Sequence, residues 1–303
     1  MTSDIRLSPD PIPLGNSGLL VSPIAWGMWR FARATVDDGQ RLVEAALDAS
    51  VTLFDTADIY GFNGSAGFGD AEALLGKIFA TAPGLRERIV LATKGGIAPP
   101  LPYDSSRDYL MSALDVSLRR LGVEQIDLYQ IHRPDILAHP QEVARTLEDM
   151  VSSGKVQAIG VSNYTVAQTE ALLALLTIPL ASHQPEFSPL HLEPIENGLF
   201  DLTMECDIAV LAWSPLGGGR IGAPADERST RVAATLDVVA SAHGVSRAAA
   251  TYSWIMAHPA RAIPIVGTQK VERIAELADA FKIVWTRQAW YDVLIASRGE
   301  RLP

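Results

Sequence analysis

Four side chains of complementary acidity stand at or just beyond the ends of short apolar runs. Asp55 closes the run 51–55, Lys94 closes 89–94, His132 closes 126–132, and Tyr60 follows Asp55 by a short loop. A phenol, with an ordinary pKa of roughly 10, is a poor acid at neutral pH, but an ammonium beside it stabilises the phenolate and is expected to lower that value. Lys94 can supply the ammonium. Asp55 can pair with it, because a lone charge in a closed site is costly. His132 can donate a hydrogen bond to a substrate oxygen or relay a proton. Three more runs end in Ser162-Asn163, Gln184 and Trp213-Ser214, so polar or amphipathic groups terminate six successive apolar runs. Any one of them has an ordinary explanation, since chains leave strands through polar residues. Their convergence is the signal.

The elements that must position them repeat in type. Apolar, β-branched runs at 23–28, 51–55, 89–94, 126–132, 156–162, 180–184, 208–213 and 262–267 alternate with amphipathic stretches at 37–49, 70–80, 106–121, 140–153, 165–176, 195–206, 230–243 and 270–281. This alternation specifies βαβ units and a parallel sheet. An α/β class of fold follows, and a (β/α)8 TIM barrel as one domain over 1–303. An open doubly wound sheet would bring a glycine fingerprint after its first strand, which this chain lacks. In a barrel the polar strand ends share the C-terminal face, where barrel enzymes keep their chemistry. Outside the repeat, 12–21 carries Asn16-Ser17-Gly18 between apolar flanks and is expected to form an N-terminal β-hairpin plugging the barrel's other mouth. Extra C-terminal helices are expected at 246–258 and 286–297, with glycine-rich loops at 61–69 and 217–222.

Composition narrows the function classes. Of 303 residues, 48% are hydrophobic and 20% charged, enough apolar material for a large interior. A formal net charge of −10 argues against a nucleic-acid surface, so an anionic ligand would rely on local basic groups and backbone amides. The single Cys206 cannot form an intramolecular disulfide, and no Cys and His pattern at zinc spacing occurs, so no metal is expected. Residues 1–13 contain Asp4, Arg6, Asp10 and three prolines rather than the apolar core of an export signal. No membrane partner and a cytoplasmic location are expected.

The chain resembles the aldo-keto reductases in six motifs that keep the family's order. These are Phe54-Asp55-Thr56-Ala57-Asp58-Ile59-Tyr60-Gly61, Ala92-Thr93-Lys94-Gly95, Asp127-Leu128-Tyr129-Gln130-Ile131-His132, Gly160-Val161-Ser162-Asn163, Trp213-Ser214-Pro215-Leu216-Gly217, and Ile265-Val266-Gly267-Thr268 followed by Glu272-Arg273-Ile274. The stretches Trp213 to Arg220 and Trp285 to Trp290 are similar to the bacterial oxidoreductase branch. The resemblance implies NADPH-dependent reduction of an aldehyde or ketone, with hydride from nicotinamide C4 and a proton from Tyr60. It implies a catalytic tetrad of Asp55, Tyr60, Lys94 and His132. Ser162, Asn163 and Gln184 would bind the nicotinamide carboxamide, and Trp213 stands where the family commonly has a tyrosine stacked on that ring. Ser214, Leu216, Gly217 and Arg220 would fold over the pyrophosphate. Gly267, Thr268, Lys270 and Arg273 would hold the adenosine end, where Arg273 matches the contact to the ribose 2′-phosphate and a basic residue often found in place of Gly267 is missing.

Met28, Trp29 and Phe62, at loop starts beside the site, are expected to wall a pocket for a small-molecule carbonyl substrate, whose identity depends on loop conformations. The protein is expected to be a monomer or small homo-oligomer. Two other classes remain open on sequence alone. One is an NADPH-binding sensor or regulatory subunit with little turnover, as in a channel-associated branch resembling this family. The other is a barrel hydrolase or isomerase using Asp55, Asp58 and His132.

Overall fold

In a computed structural model describing residues 4–302, the apolar runs close into a barrel of parallel strands. They are β1 (Ala25–Gly27), β2 (Leu53–Asp55), β3 (Val90–Gly95), β4 (Ile126–Ile131), β5 (Val156–Ser162), β6 (Leu180–Gln184), β7 (Ala209–Ala212) and β8 (Ile263–Val266). Each pairs in parallel with the next. The ring shuts where Ala25 of β1 lies opposite Leu53 of β2 on one side and Ile265 of β8 on the other.

Period-two alternation sorts the strand residues into two cores. Ala25, Leu53, Ala92, Leu128, Ala158, Ala181, Leu211 and Ile263 fill the barrel interior together with Leu14 and Val21 from the hairpin. Their neighbours Trp26, Phe54, Leu91, Tyr129 and Ile159 point outward and pack under the helices. The hairpin pairs Ile12–Pro13 with Leu20–Val21 and closes the N-terminal mouth as expected.

The surrounding helices are α1 (Val36–Asp48), α2 (Asp70–Thr81), α3 (Arg107–Leu121), α4 (Pro140–Ser152), α5 (Val166–Leu173), α6 (Glu193–Glu196), α7 (Leu199–Glu205), α8 (Glu227–His243), α9 (Arg247–Met256), α10 (Val271–Ala275) and α11 (Arg287–Arg298). Side-chain caps start several of them: Thr35 accepts from the Asp38 amide, Ser106 from Tyr109, and Thr165 forms a capping box with Gln168. No helix among the described residues is long and apolar enough to cross a membrane.

Some boundaries differ from the periodicity. The helix expected at 195–206 is two helices, because Gly198 sits between them at φ +86°, a conformation that ends α6 and starts α7. The stretch 270–281 is helical only to Ala275 and continues as a 3-10 segment, Glu276–Lys282. α8 begins earlier than expected, at Glu227, because Asp226 and Ser229 cap it reciprocally. An unanticipated antiparallel pair joins Ile5–Arg6 to Val284–Trp285; two-residue strands are too short to leave a periodic signal.

Candidate active site

The same alternation carries the barrel interior from apolar to polar at its C-terminal end. Two residues beyond the inner Leu53, Ala92 and Leu128 come Asp55, Lys94 and Gln130, all buried. The Lys94 side chain is 0% exposed, so its charge needs partners. Its Nζ donates to Asp55 Oδ2 at 2.6 Å, to the Thr56 carbonyl at 2.8 Å and to the Tyr60 hydroxyl oxygen at 3.2 Å. The second carboxylate oxygen, Asp55 Oδ1, accepts from Gln184 Nε2 at 2.9 Å and Gln130 Nε2 at 3.3 Å.

The turn after β2 is stitched to β3. The Thr56 amide donates to the Ala92 carbonyl and the Asp58 amide to the Lys94 carbonyl, at 2.9 and 3.0 Å. This returns Tyr60 over Lys94, with the Trp29 ring edge-on at a centroid distance of 5.1 Å and the His132 ring at 5.9 Å.

Electrostatics amend one expectation. Burial pushes the Tyr60 phenol above its ordinary value, and the opposing pull of the Lys94 charge does not overcome it. The phenol therefore stays protonated at neutral pH, a state that suits an acid. Burial alone would lower the Lys94 ammonium, but Asp55 and Tyr60 together carry it above its ordinary value. His132 is held well below the usual histidine range by burial, then by the charges of Lys94 and Arg133, so it is a neutral imidazole.

A second set of bonds ties the ends of β4 to β7. Ser162 Oγ donates to the Gln184 carbonyl at 2.8 Å. Asn163, in the left-handed region at φ +61°, donates through Nδ2 to Ser162 Oγ at 2.7 Å and to the His132 carbonyl at 3.1 Å. Its Oδ1 accepts from Trp213 Nε1 at 3.0 Å.

A cavity of about 1160 Å³ opens on these groups. Asp55, Tyr60, His132, Trp29, Ser162, Asn163, Gln184, Trp213, Ser214, Leu216, Gly267, Thr268, Lys270 and Arg273 all line it. Five expected residues do not. Lys94 is fully buried and reaches the cavity only through Asp55 and Tyr60, which line it. Met28 is fully buried in the outer core, because alternation after Gly27 turns it toward the helices. Phe62 packs edge-on to Phe68 instead, at 6.0 Å. Gly217 is buried behind the loop, and its neighbours Gly218 and Gly219, with positive φ, line the cavity in its place. Arg220 folds back, donating from Nε to the Gly217 carbonyl at 3.1 Å, with Asp226 3.8 Å away.

Other lining residues were missed by sequence reasoning: Arg30, Arg133, Arg247, Tyr252, Gln269 and Glu276. Arg133 directly follows His132, and its guanidinium lies 5.7 Å from the centroid of the Trp213 ring. Arg30 directly follows Trp29. Going one residue past the assigned His132 and Trp29 would have found both. Arg247 and Tyr252 lie on α9, whose sequence signals only packing. No cluster of three or more metal-ligating side chains occurs among the described residues.

A buried lysine clamped between a carboxylate and a phenol, beside a neutral histidine, is equipped to deliver a proton to an oxygen that becomes negative. The model of the Aldo/keto reductase family matches residues 23–294, and the chain belongs to that family of oxidoreductases, which generally use a nicotinamide cofactor. It is 61% identical over 303 residues to a 6-dehydroglucose reductase of Novosphingobium aromaticivorans, covering 99% of this chain and 100% of that one. A 6-dehydroglucose reductase of Agrobacterium fabrum is 34% identical over 296 residues, covering 94% and 97%. Among solved structures, the glycerol dehydrogenase of Gluconobacter oxydans superposes with a TM-score of 0.82 at 26% identity, covering 98% of each chain.

Proposed function

We propose that this protein is an NADPH-dependent reductase of a hydroxylated aldehyde, with Tyr60 as general acid, and that the aldehyde is 6-dehydroglucose, reduced at C6 to the primary alcohol. The observation that carries the reaction is the position of the buried Lys94 Nζ, bonded to both Asp55 and the Tyr60 hydroxyl, two groups that line the cavity. The substrate rests on the two relatives of that name, one of them alike over its whole length.

The donor set suits a dinucleotide. Arg30, Lys270 and Arg273 bring positive charge to the cavity, and the open backbone of Gly218 and Gly219 can approach phosphates. Arg273 favours the 2′-phosphate of NADPH. Ser162, Asn163 and Gln184 would hold the carboxamide, with Trp213 against the ring. When bound, the dihydronicotinamide supplies the hydride.

The chain's own residues manage the oxygen. Tyr60 holds a proton in the resting state and releases it to the oxygen as negative charge develops there. Lys94, fixed by Asp55, stabilises the phenolate left behind. Neutral His132 donates to the same oxygen. These bonds strengthen only as the carbonyl becomes an alkoxide, which lowers the barrier. Arg133, poised over Trp213, offers several N–H donors to substrate hydroxyls. The same account has a cytoplasmic enzyme of one domain, 1–303, acting on a small molecule without metal, nucleic acid or membrane, as a monomer or small homo-oligomer.

The test is a titration of the purified protein with NADPH and NADH, followed by cofactor oxidation with 6-dehydroglucose and a panel of simpler aldehydes and ketones. Tighter NADPH binding and fastest turnover of 6-dehydroglucose are expected. Tight binding without turnover on any carbonyl would instead support a sensor.

A further inference from the structure

Behind Lys94, between the barrel wall and helices α2 and α3, lies a second buried polar layer that the mechanism leaves unused. Asp58 is 1% exposed, and neither of its carboxyl oxygens has a hydrogen-bond partner among the described residues. The buried Tyr129 hydroxyl on β4 is also without one. Both face the same spot: a Cβ placed on Gly95 would come within 2.0 Å of the Tyr129 hydroxyl and 3.4 Å of Asp58 Oδ2. Position 95 must therefore be bare for the two groups to approach.

The charges around Asp58 do not balance if it is ionised. Glu72 of α2 is already satisfied, by Thr93 Oγ1 at 2.7 Å and by Arg120 of α3 at 3.3 Å. Arg120 thus serves Glu72, and Lys94 serves Asp55. The other groups with influence here are the Tyr109 and Tyr129 phenols, which carry no positive charge. A carboxylate stranded in so dry a layer is costly, whereas a neutral acid needs only one partner.

We propose that Asp58 is a positioning residue: its carboxyl, uncharged and facing the Tyr129 hydroxyl across the bare face of Gly95, anchors the turn that sets Tyr60 against Lys94. The backbone supplies the link to the chemistry, since the Asp58 amide bonds to the carbonyl of Lys94 itself. Burial, followed by the charge of Glu72, pushes the Asp58 carboxyl well above the carboxylate range, in keeping with this state. The Ile59 amide and the charges of Arg120 and Lys94 pull the other way and do not prevail.

The consequence for turnover rests on Tyr60 being the proton donor; the protonation of Asp58 does not. A group whose folded pKa is raised lends full stability below its unfolded pKa and loses it as pH rises toward the folded value. Asp58→Asn has no proton to lose. Its Tm relative to wild type is expected to climb as pH rises above the ordinary carboxylate range, and an infrared band of a protonated carboxyl in the wild type is expected to vanish in the variant. A Tm difference that stays level with pH, or no such band, overturns the proposal. Asp58→Ala is expected to lower kcat about tenfold or more with little change in the Kd for NADPH, while Asp58→Asn stays within about threefold. An alanine variant with wild-type kcat overturns the positioning role. Should that variant not fold, Tyr129→Phe replaces it, with a drop in kcat expected and an unchanged kcat overturning the role.

Discussion

Gln184 Nε2 donates to Asp55 Oδ1 at 2.9 Å, so a residue at the end of β6 helps hold the carboxylate that fixes Lys94. If Gln184 served only the cofactor, its loss would raise KM for NADPH alone. This bond ties it to the proton donor as well. Gln184→Ala is expected to raise KM and lower kcat together, costing about 1–3 kcal/mol in kcat/KM for NADPH. Steady-state kinetics decide it, and a KM effect with kcat intact would sever the link.

The Lys94–Asp55 pair is buried on both sides. Lys94→Met leaves a carboxylate with no cation in the barrel floor, and about 3–5 kcal/mol of stability is expected to go with it. Denaturant unfolding measures this loss. Turnover should fall as well, because the phenolate of Tyr60 loses its stabilising charge.

The pH profile of carbonyl reduction should be flat where a histidine ordinarily titrates. His132 is neutral because burial and two neighbouring cations depress it, and Tyr60 is protonated because burial raises it. kcat is expected to hold between about pH 6 and 8 and to fall only in the range where a phenol ionises, at about 10 or above. A break near the ordinary histidine value would contradict the assignment of a neutral His132.

Acid stability should respond to a different histidine. Burial lowers His183 to about 4, and its Nε2 lies 3.0 Å from the Tyr164 carbonyl. A base depressed in the fold lends stability above its unfolded pKa and loses it as pH falls toward the folded value. Between about pH 6.5 and 4 the protein is expected to lose up to about 3 kcal/mol from this group. Thermal unfolding across that interval checks it, and His183→Gln should flatten the slope.

The barrel and the cluster at its mouth were legible because both follow from a period of two. Leu53 and Ala92 face inward, and the same parity turns Asp55 and Lys94 inward behind them. Parity also explains the failure at Met28, which was assigned to the pocket by proximity in sequence while alternation sends it to the outer core. Two kinds of information were hidden. Desolvation depends on what covers a group, so the rise of the Tyr60 phenol had no local signal. Loop geometry depends on backbone choices such as the left-handed Asn163 and Gly218, so it was not visible that Arg220 turns away from the cavity and Arg133 toward it.

The most direct measurement is a single-turnover comparison of Tyr60→Phe with wild type, following the oxidation of bound NADPH after mixing with aldehyde. The variant is expected to bind NADPH as wild type does and to reduce the carbonyl about 10²- to 10⁴-fold more slowly. Reduction at the wild-type rate would show that the proton comes from elsewhere, and the clamp of Lys94 on Tyr60 would then have no part in the reaction.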